Sequence, residues 1–325
     1  MLKVDSELLK GYNFIDLFCG IGGFHLALSS FGAKCVFASD IDENARKIYK
    51  KNLKLEPRGD IIKIKNKDIP AHDILCAGFP CQPFSISGNQ KGFDDPRGKL
   101  FFQIIRIARY HKPKIILLEN VKNLKTHNYS NTLREIKEQL NKIGYYVFDE
   151  VLTASDFGVP QARERLYIVA LKKSLKIKQF SFPAVKKENC SLEHVLFNES
   201  DKYDVKVKRE FTINPKELNR KGLKQVARIG RGRQGERIYS PKGFATTLSS
   251  QSGGLGGKTG MYLIEGEVRK LYPRECARLM GFPDEYEYAQ EISIAYKQFG
   301  NSVVVDVLQY IIYELIKQVA CGGTN

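Results

Sequence analysis

The sequence predicts an α/β protein with a doubly wound, mostly parallel sheet and a smaller, β-rich and irregular second domain. Three observations lead to this prediction. Over the first 170 residues, short β-type runs alternate with amphipathic helical segments. Beyond residue 172 the alternation stops, and a charged region with several glycines follows. At 325 residues and 42% hydrophobic composition, the chain can bury a core large enough for about two domains.

Strands and helices alternate over most of the first domain, and its last two strands follow each other without a predicted helix between them. Strands are predicted at 12–18, 34–39, 72–77, 114–119, 145–152 and 165–171, and helices at 22–31, 42–53, 100–111 and 131–143. Ligands of such sheets bind at the carboxyl ends of the strands, where Asp16, Asp40, Cys81 and Glu119 fall. Later in the chain, helices are predicted at 274–281 and 304–319, and we expect the last one to pack against the first domain.

Charge and composition divide the chain further. We predict a first domain over 1–190, a more basic second domain over 191–275, a hinge over 276–300 and a returning C-terminal helix over 301–325. The chain has 52 Lys+Arg against 36 Asp+Glu, a net charge of +16. Such a charge attracts polyanions and makes their binding salt-dependent. Nucleic acid is therefore the leading partner, and a solvated basic surface is the alternative.

Other classes of protein are disfavoured. The N-terminus lacks a basic segment followed by an apolar core, and no stretch reaches the roughly 18 apolar residues of a membrane span, so we expect a cytoplasmic protein without a membrane contact. The seven cysteines are an odd number without a Cys-x-x-Cys pair. This pattern argues against both a disulfide framework and a zinc site, and we expect no metal.

A glycine-rich turn after the first strand suggests a nucleoside cofactor. Asp16 precedes the glycines, and Asp40 ends the second strand, where a carboxylate accepts hydrogen bonds from ribose hydroxyls. The G-x-G-x-x-G fingerprint of dinucleotide sites fails because His25 stands at the third glycine position. S-adenosylmethionine therefore fits better than NAD. Asp60 and Ile61 either contact its adenine or simply form a turn.

The segment GFPCQPFSISG, residues 78–88, holds a candidate nucleophile. Pro80 restricts the chain just before Cys81, and a thiolate is reactive where its surroundings favour ionisation. Glu119 ends the neighbouring predicted strand and is a candidate for handling a proton. Four other cysteines, at 19, 35, 76 and 276, have apolar or small neighbours and are interpreted as inert.

Two arginines precede the last predicted strand of this sheet. Alternation along the strand is expected to place Arg163 and Arg165 on one face, either as a site for anions or carbonyl oxygens or as a surface salt-bridge pair. The residue types fit methylation of a pyrimidine. A thiolate that adds to C6 activates C5, provided that an acid lies near N3 and a donor near O2. Glu119 and Arg165 are suited to those two tasks.

Six motifs in this order resemble bacterial cytosine-5 DNA methyltransferases, over nearly the whole chain. They are DLFCGIGG (16–23), GFPCQPFS (78–85), ENV (119–121), QARER (161–165), RECARLMGFP (274–283) and QFGNSV (298–303). The resemblance implies that Cys81 attacks C6, that Glu119 contacts N3, and that Arg163 and Arg165 orient the base. Since C5 is inaccessible within a stacked duplex, the resemblance also implies base flipping.

The resemblance further implies two sets of binding residues. The set around S-adenosylmethionine comprises Phe18, Gly20, Gly23, Asp40, Ile41, Asp60, Ile61, Pro80, Leu100, Asn301 and Ser302. The set that contacts DNA comprises Gln82, Ser85, Ser87, Arg228, Gln234, Arg237, Gly254 and Gly257. Residues 82–99 are expected to form a lid that closes over the DNA.

Within the family, the sequence most resembles the HhaI-type branch, which methylates GCGC. Gln234 and Arg237 are the expected readers of base edges. The chain departs from that branch at Asp40-Ile41, where the branch has Glu-Trp, and at Gln251-Ser252, where it has an aromatic residue. Stacking on the adenine is thus expected to be weaker or to be replaced by aliphatic packing.

The expected partner is double-stranded DNA, bound by a monomer, with a cognate restriction endonuclease as a functional companion. Two other interpretations remain open: a methyltransferase that acts on cytosine of transfer RNA, and a catalytically silent DNA-binding module. Activity on duplex DNA separates the first alternative from the prediction, and the effect of removing the Cys81 thiol separates the second.

Overall fold

The computed structural model describes residues 4–79, 99–127, 130–187, 190–197, 203–233, 235–250 and 254–322. These residues form two compact units. The six-stranded unit contains residues of 4–152, 164–183 and 308–322, and the five-stranded unit contains residues of 153–163 and 184–307. Each unit is named after its sheet.

The sheet of the six-stranded unit confirms the predicted doubly wound fold. Its strands are β1 (Asn13–Leu17), β2 (Lys34–Ser39), β3 (Ile74–Gly78), β4 (Ile115–Val121), β5 (Tyr145–Thr153) and β6 (Glu164–Lys172). Their order is β2-β1-β3-β4-β6-β5. The strands β2, β1, β3 and β4 are parallel neighbours, whereas β6 runs antiparallel to β4. The central strands β3 and β4 are almost completely buried, which is expected for a sheet covered on both faces.

Four helices connect these strands close to the predicted limits. They are α1 (Gly23–Ser29), α2 (Glu43–Leu53), α3 (Lys99–His111) and α4 (Asn131–Lys142). The start of α2 shows why the prediction succeeds. The Asp42 side chain accepts hydrogen bonds from the backbone N–H groups of Asn44 and Ala45, at 3.0 and 3.2 Å, and so satisfies donors that a helix leaves open at its first turn.

The five-stranded unit contains the strands from β7 onward. They are β7 (Thr212–Arg220), β8 (Leu223–Arg228), β9 (Arg237–Tyr239), β10 (Met261–Ile264) and β11 (Glu267–Arg269), in the order β11-β10-β9-β8-β7. Three helices follow: α5 (Pro273–Leu279), α6 (Ile292–Asn301) and α7 (Val305–Gly322). The helix α6 was not predicted, because its sequence ISIAYKQFGN ends in a Gly-Asn pair and shows no clear amphipathic repeat.

The compact units divide the chain at other positions than the predicted functional domains. Residues 153–163 belong to the five-stranded unit because their backbone pairs with a distant segment of that unit. Ala162 donates its N–H to the Ala245 carbonyl at 2.9 Å, and Ala245 donates to the Pro160 carbonyl at 2.7 Å. From residue 308 onward the chain belongs to the six-stranded unit again. There α7 packs against α1, with Gln309 donating to the Ser30 hydroxyl at 3.0 Å.

Among the described residues, the helical stretch Ile292–Val319 is long and apolar enough to cross a membrane. However, 61% of its most apolar window is buried inside the protein, as is usual for the core helix of a soluble protein.

A buried ion pair organises the five-stranded unit. Glu275 in α5 is completely buried, and Arg269 donates two hydrogen bonds to its carboxylate at 2.8 and 2.7 Å. The same carboxylate accepts the backbone N–H groups of Tyr272 and Phe197 at 2.7 and 3.0 Å. One side chain therefore joins β11, the start of α5 and the segment near residue 197.

Replacement of Glu275 by alanine is expected to destabilise the protein strongly. The change leaves the buried Arg269 without its counter-ion and two backbone donors without acceptors, which costs roughly 3–5 kcal/mol in the free energy of unfolding. Chemical denaturation monitored by circular dichroism measures the loss. Glu285→Ala, which removes an exposed glutamate, is the matched control. Equal midpoints for the two variants would contradict the structural role of Glu275.

Candidate active site

The carboxyl ends of four parallel strands bring the predicted site residues of the six-stranded unit to one edge. The strand register pairs Leu17 with Ser39, Leu17 with Ala77, and Gly78 with Glu119. The glycine-rich turn after β1, Asp40 after β2, the end of β3 and Glu119 in β4 therefore meet at the same edge. This is the edge at which ligands bind in doubly wound sheets.

Asp40 holds the glycine-rich turn against the end of β2. Its two carboxylate oxygens accept the backbone N–H groups of Gly20 and Asp42, each at 2.8 Å. Arg46 of α2 donates to the Asp40 carbonyl at 2.9 Å and fixes the backbone there. Because each carboxylate oxygen can accept two hydrogen bonds, Asp40 retains capacity for hydroxyl donors of a ligand. Ile41 beside it is 76% exposed and offers an apolar surface.

Asp16 lies at the end of β1 and is completely buried. Burial raises the pKa of its carboxyl well above the usual value, and the neighbouring Asp40 raises it further, while the backbone N–H of His25 lowers it. Burial also raises the pKa of Asp40. A cationic ligand bound at this edge would therefore favour the ionised forms of both carboxyl groups.

The turn after β1 requires glycine at one position for two separate reasons. Gly22 caps α1 with φ 88°, a left-handed conformation that disfavours other residues. A Cβ at this position would overlap the side chain of Leu53 and press against the ring of Tyr49 in α2. The turn is therefore packed tightly against α2.

Glu119 and Arg165, both predicted to act on the same base, form an ion pair. Arg165 Nε lies 3.1 Å from Glu119 Oε1, and the two side chains are only 15% and 11% exposed. The antiparallel pairing of β4 with β6 accounts for this contact, because it sets Val121 opposite Arg165 and Glu119 opposite Tyr167. Arg165 also donates to the Glu164 carbonyl at 2.9 Å. The pair is therefore held in one orientation at the end of β4.

Asn120, which sequence reasoning left without a role, fixes the chain that leads to Cys81. Its side chain is 2% exposed and donates to the Phe79 carbonyl at 2.8 Å. Its carbonyl oxygen accepts the Val121 N–H at 2.9 Å. The amide therefore anchors the backbone two residues before the predicted nucleophile. A buried amide at a strand end beside a reactive segment is the signal that points to this role.

The two glycine-containing loops predicted to read DNA meet within the five-stranded unit. Gly256 donates its N–H to the Gly235 carbonyl at 2.9 Å. Arg237 at the start of β9 donates from Nε to the Gly232 carbonyl at 3.2 Å, and Arg228 is exposed at the end of β8. Gly254, with φ 83°, and Gly257 lie in the second loop. Segments that are some twenty residues apart in sequence thus form one surface.

The remaining predicted residues occupy defined positions. Phe18 adopts φ 55° in the turn after β1, and Gly23 begins α1. Asp60 caps a 3-10 turn that begins at the buried Ile61, and Leu100 lies in the first turn of α3. In the five-stranded unit, Asn301 ends α6 and Ser302 is buried after it. The predictions for Pro80, Cys81, Gln82, Ser85, Ser87, Gln234 and the lid over 82–98 lie outside the described residues.

Comparison with known proteins identifies the family. The family model for C-5 cytosine-specific DNA methylases matches residues 12–317 of the chain. The chain is a C-5 cytosine-specific DNA methylase. The resemblance inferred from the six motifs is thereby confirmed, and the enzyme transfers methyl groups to cytosine C5 in DNA.

Named relatives share most of the methylase's length. It is 48% identical to the type II methyltransferase M.HhaI of Haemophilus parahaemolyticus, over 97% of each chain. It is 40% identical to M.HpaII of Haemophilus parainfluenzae, over 94% of this chain and 89% of that one. Among solved structures, the S. pombe Dnmt2 methyltransferase matches with a TM-score of 0.71 at 26% identity, covering 94% of this chain and 98% of that one.

Arg163 of the methylase has a different environment from the one alternation suggested. The strand β6 begins at Glu164, so the strand pattern does not extend to Arg163. The Arg163 side chain is 2% exposed, and its guanidinium donates to the carbonyls of Leu248, Gly300 and Ser302 at 3.1, 3.3 and 2.6 Å. Arg163 thus clamps backbone within the five-stranded unit, and its contact with the base stays a prediction.

Replacement of Asn120 by alanine is expected to slow methylation without weakening cofactor binding. The change removes the anchor of the Phe79 carbonyl, and a displacement of about 1 Å at a reacting group can cost about 100-fold in rate. Single-turnover methylation measures the effect, and calorimetry checks the cofactor. Asn123→Ala, which alters an exposed asparagine three residues further on, is the control. A wild-type rate for Asn120→Ala would exclude the anchoring role.

Proposed function

We propose that this methylase transfers a methyl group from S-adenosylmethionine to C5 of a flipped-out cytosine in the duplex sequence GCGC. The nucleophile is the Cys81 thiolate, which forms a covalent bond to C6 of the base. The observation that supports this most directly is the buried Glu119–Arg165 pair at the end of β4, beside the strand that leads to Cys81. The similarity to M.HhaI supports the target.

The site residues have complementary tasks in this reaction. The Cys81 thiolate adds to C6 while Glu119, as the carboxylic acid, gives its proton to N3, so that the electron pair of the C5–C6 double bond becomes available at C5. Arg165 orients Glu119 and donates to the O2 side of the ring. After methylation a base removes the proton from C5, the double bond re-forms, and the thiolate leaves.

The residues around the glycine-rich turn fit S-adenosylmethionine, which supplies the methyl group when it is bound. The Asp40 carboxylate accepts the ribose hydroxyls with the capacity left by Gly20 and Asp42. The exposed Ile41 covers the adenine ring, whose polar edge meets Asp60 and the N–H of Ile61. Burial raises the pKa of the Asp16 carboxyl, and the positive charge of the bound cofactor would favour its ionised form.

The joined glycine loops of the five-stranded unit form the surface that reads the target. Gly235 and Gly256 hold the loops together, and backbone without side chains can approach base edges closely. Arg237 and Gln234 read the bases, while the exposed Arg228 contacts phosphate.

Replacement of Arg237 by alanine is expected to relax sequence discrimination. Arginine bonded to guanine contributes about 1–3 kcal/mol of discrimination against a wrong base. Competition binding with GCGC duplexes and single-substitution duplexes measures the change as a reduced ratio of affinities. Arg231→Ala, which removes an exposed arginine of the same loop, is expected to weaken binding equally for all duplexes. Full discrimination by Arg237→Ala would contradict this placement of the reading residue.

Methylation assays with labelled S-adenosylmethionine test the substrate class. Duplex DNA with GCGC sites is expected to accept label, whereas transfer RNA and duplexes without the site are not. Label in transfer RNA alone would favour the rival activity. The recognition loops favour DNA, because a surface of this kind presents arginines to base edges in a groove of the duplex.

The proposal extends to the setting of the enzyme. It acts in the cytoplasm as a monomer on double-stranded DNA, with a cognate restriction endonuclease that cleaves the same sequence when it is unmethylated. The names of the type II relatives support this companion.

A further inference from the structure

Arg106 of α3 connects two segments that are distant in sequence. Its Nη2 donates to the Ile61 carbonyl at 3.2 Å, and its Nη1 donates to the Asn66 side-chain oxygen. Its Nε is held by Gln103, one turn earlier in α3, at 2.7 Å. The side chain is half-buried, and burial lowers the pKa of the guanidinium from its usual value. All three nitrogens of the guanidinium therefore donate hydrogen bonds within the six-stranded unit.

The segment that Arg106 holds is the turn that begins at Ile61. Asp60 caps this turn by accepting the Ile62 N–H at 3.0 Å, and Lys63 donates to the Asp60 carbonyl at 3.1 Å. The Ile61 side chain is buried in the main core. Ile61 is the first residue of the turn, so its N–H has no acceptor within the turn. The Asp60 carboxylate and the Ile61 N–H therefore lie on adjacent residues at the start of the turn.

A second hydrogen bond joins the last residue of α3 to the same segment. The His111 ring bonds through Nε2 to the Asn66 carbonyl at 3.0 Å. The helix is thereby fixed to residues 61–66 at two places. Leu100 lies in the first turn of the same helix, directly after residues 80–98. The position of α3 thus sets the spacing between Leu100 and the Ile61 turn.

We infer that Arg106 is a positioning residue for the adenine of the cofactor. The inference rests on the proposed function, in which Asp60, Ile61 and Leu100 surround that base. Adenine presents a ring-nitrogen acceptor and an amino donor on one edge, which match the N–H of Ile61 and the carboxylate of Asp60. Arg106 keeps this donor and acceptor at a fixed distance from Leu100 without touching the cofactor itself.

The chemistry of the side chain explains why arginine is required. The planar guanidinium donates along fixed directions to two acceptors on different residues, while a lysine ammonium on a flexible stem does not reproduce this fork. Loss of the fork removes the donor to the Asn66 side chain and leaves the Ile61 carbonyl with only the Ile64 N–H, at 3.3 Å. The turn is then free to shift, and the recognition of the adenine edge loses its geometry.

Calorimetric binding of the cofactor product S-adenosylhomocysteine and of its inosine analogue tests the inference. S-adenosylhomocysteine carries the adenine edge, whereas S-inosylhomocysteine carries a carbonyl in place of the amino group and a protonated ring nitrogen. Arg106→Met is expected to weaken S-adenosylhomocysteine binding about tenfold and to reduce the preference over the inosine analogue at least about threefold. Arg106→Lys, which keeps the charge and the fold, is expected to behave like the methionine variant.

Control variants separate the possible outcomes. Arg109→Met removes an exposed arginine of the same helix and is expected to change neither affinity nor preference. If Asp60→Ala also leaves the preference unchanged, the proposed adenine site itself is wrong. If Asp60→Ala lowers the preference while Arg106→Met and Arg106→Lys keep the wild-type value, the positioning role of Arg106 is overturned. A purely structural role would weaken both ligands equally, which also overturns it.

Discussion

Replacement of Cys81 by alanine is expected to abolish methyl transfer while DNA binding persists. Without the thiolate, C6 receives no electron pair and C5 is too weak a nucleophile to accept the methyl group. The rate is expected to fall by at least about 10³-fold, as for other enzymes that lose a covalent nucleophile. Affinity for DNA depends mainly on phosphate contacts of basic residues elsewhere in the chain and is expected to stay within about twofold.

Covalent trapping of substrate DNA tests directly whether Cys81 forms the bond to C6. Duplex DNA with 5-fluorocytosine at the target blocks removal of the C5 substituent, so the S–C6 bond persists after methylation. The wild-type enzyme is expected to give a complex that resists denaturing electrophoresis, and Cys81→Ala is expected to give none. Cys190→Ala, at a half-buried cysteine of the five-stranded unit, is the control and is expected to trap DNA normally. A trapped complex with Cys81→Ala would transfer the role to another nucleophile.

Replacement of Glu119 by glutamine is expected to have the next largest effect. The amide keeps the size of the side chain next to Arg165 but has no acidic proton for N3. General acid catalysis contributes typically 10²–10⁴-fold, so a loss of about that size is expected in the single-turnover rate. Binding of S-adenosylhomocysteine is expected to be unchanged, because the Asp40 site lies in a separate turn.

A neighbouring glutamate supplies the control for this variant. Glu164 at the start of β6 pairs with Lys122 at 2.9 Å on the surface. Glu164→Gln is expected to alter the rate less than about twofold, because surface ion pairs contribute little. A rate for Glu119→Gln within threefold of wild type would show that the proton reaches N3 from another group.

Local sequence patterns were enough to predict the six-stranded unit. Each strand of its sheet has a short β-type run, and each helix has an amphipathic repeat with a recognisable start, as Asp42 illustrates before α2. Glu119 and Arg165 were assigned to the same base, but their ion pair was not predicted, because it depends on the antiparallel pairing of β6 with β4.

Contacts between distant segments could not be read from the sequence. The Arg163 side chain binds carbonyls at Leu248 and Ser302, and residues 153–163 join the five-stranded unit through Ala245. The same holds for Arg106, whose acceptors lie about forty residues earlier in the chain. Periodicity reports on neighbours along an element, and these partners are set by the packing of the whole unit.

Bisulfite sequencing of plasmid DNA from cells that express the methylase tests the central claim most directly. It reports the modified base, its position and its context in one experiment. The account predicts protection from conversion at the inner cytosine of every GCGC site on both strands, with other cytosines converted, and no protection from Cys81→Ala. Protection at a different sequence would contradict the proposed target, and complete conversion by the wild-type enzyme would contradict methylation of cytosine C5 in DNA.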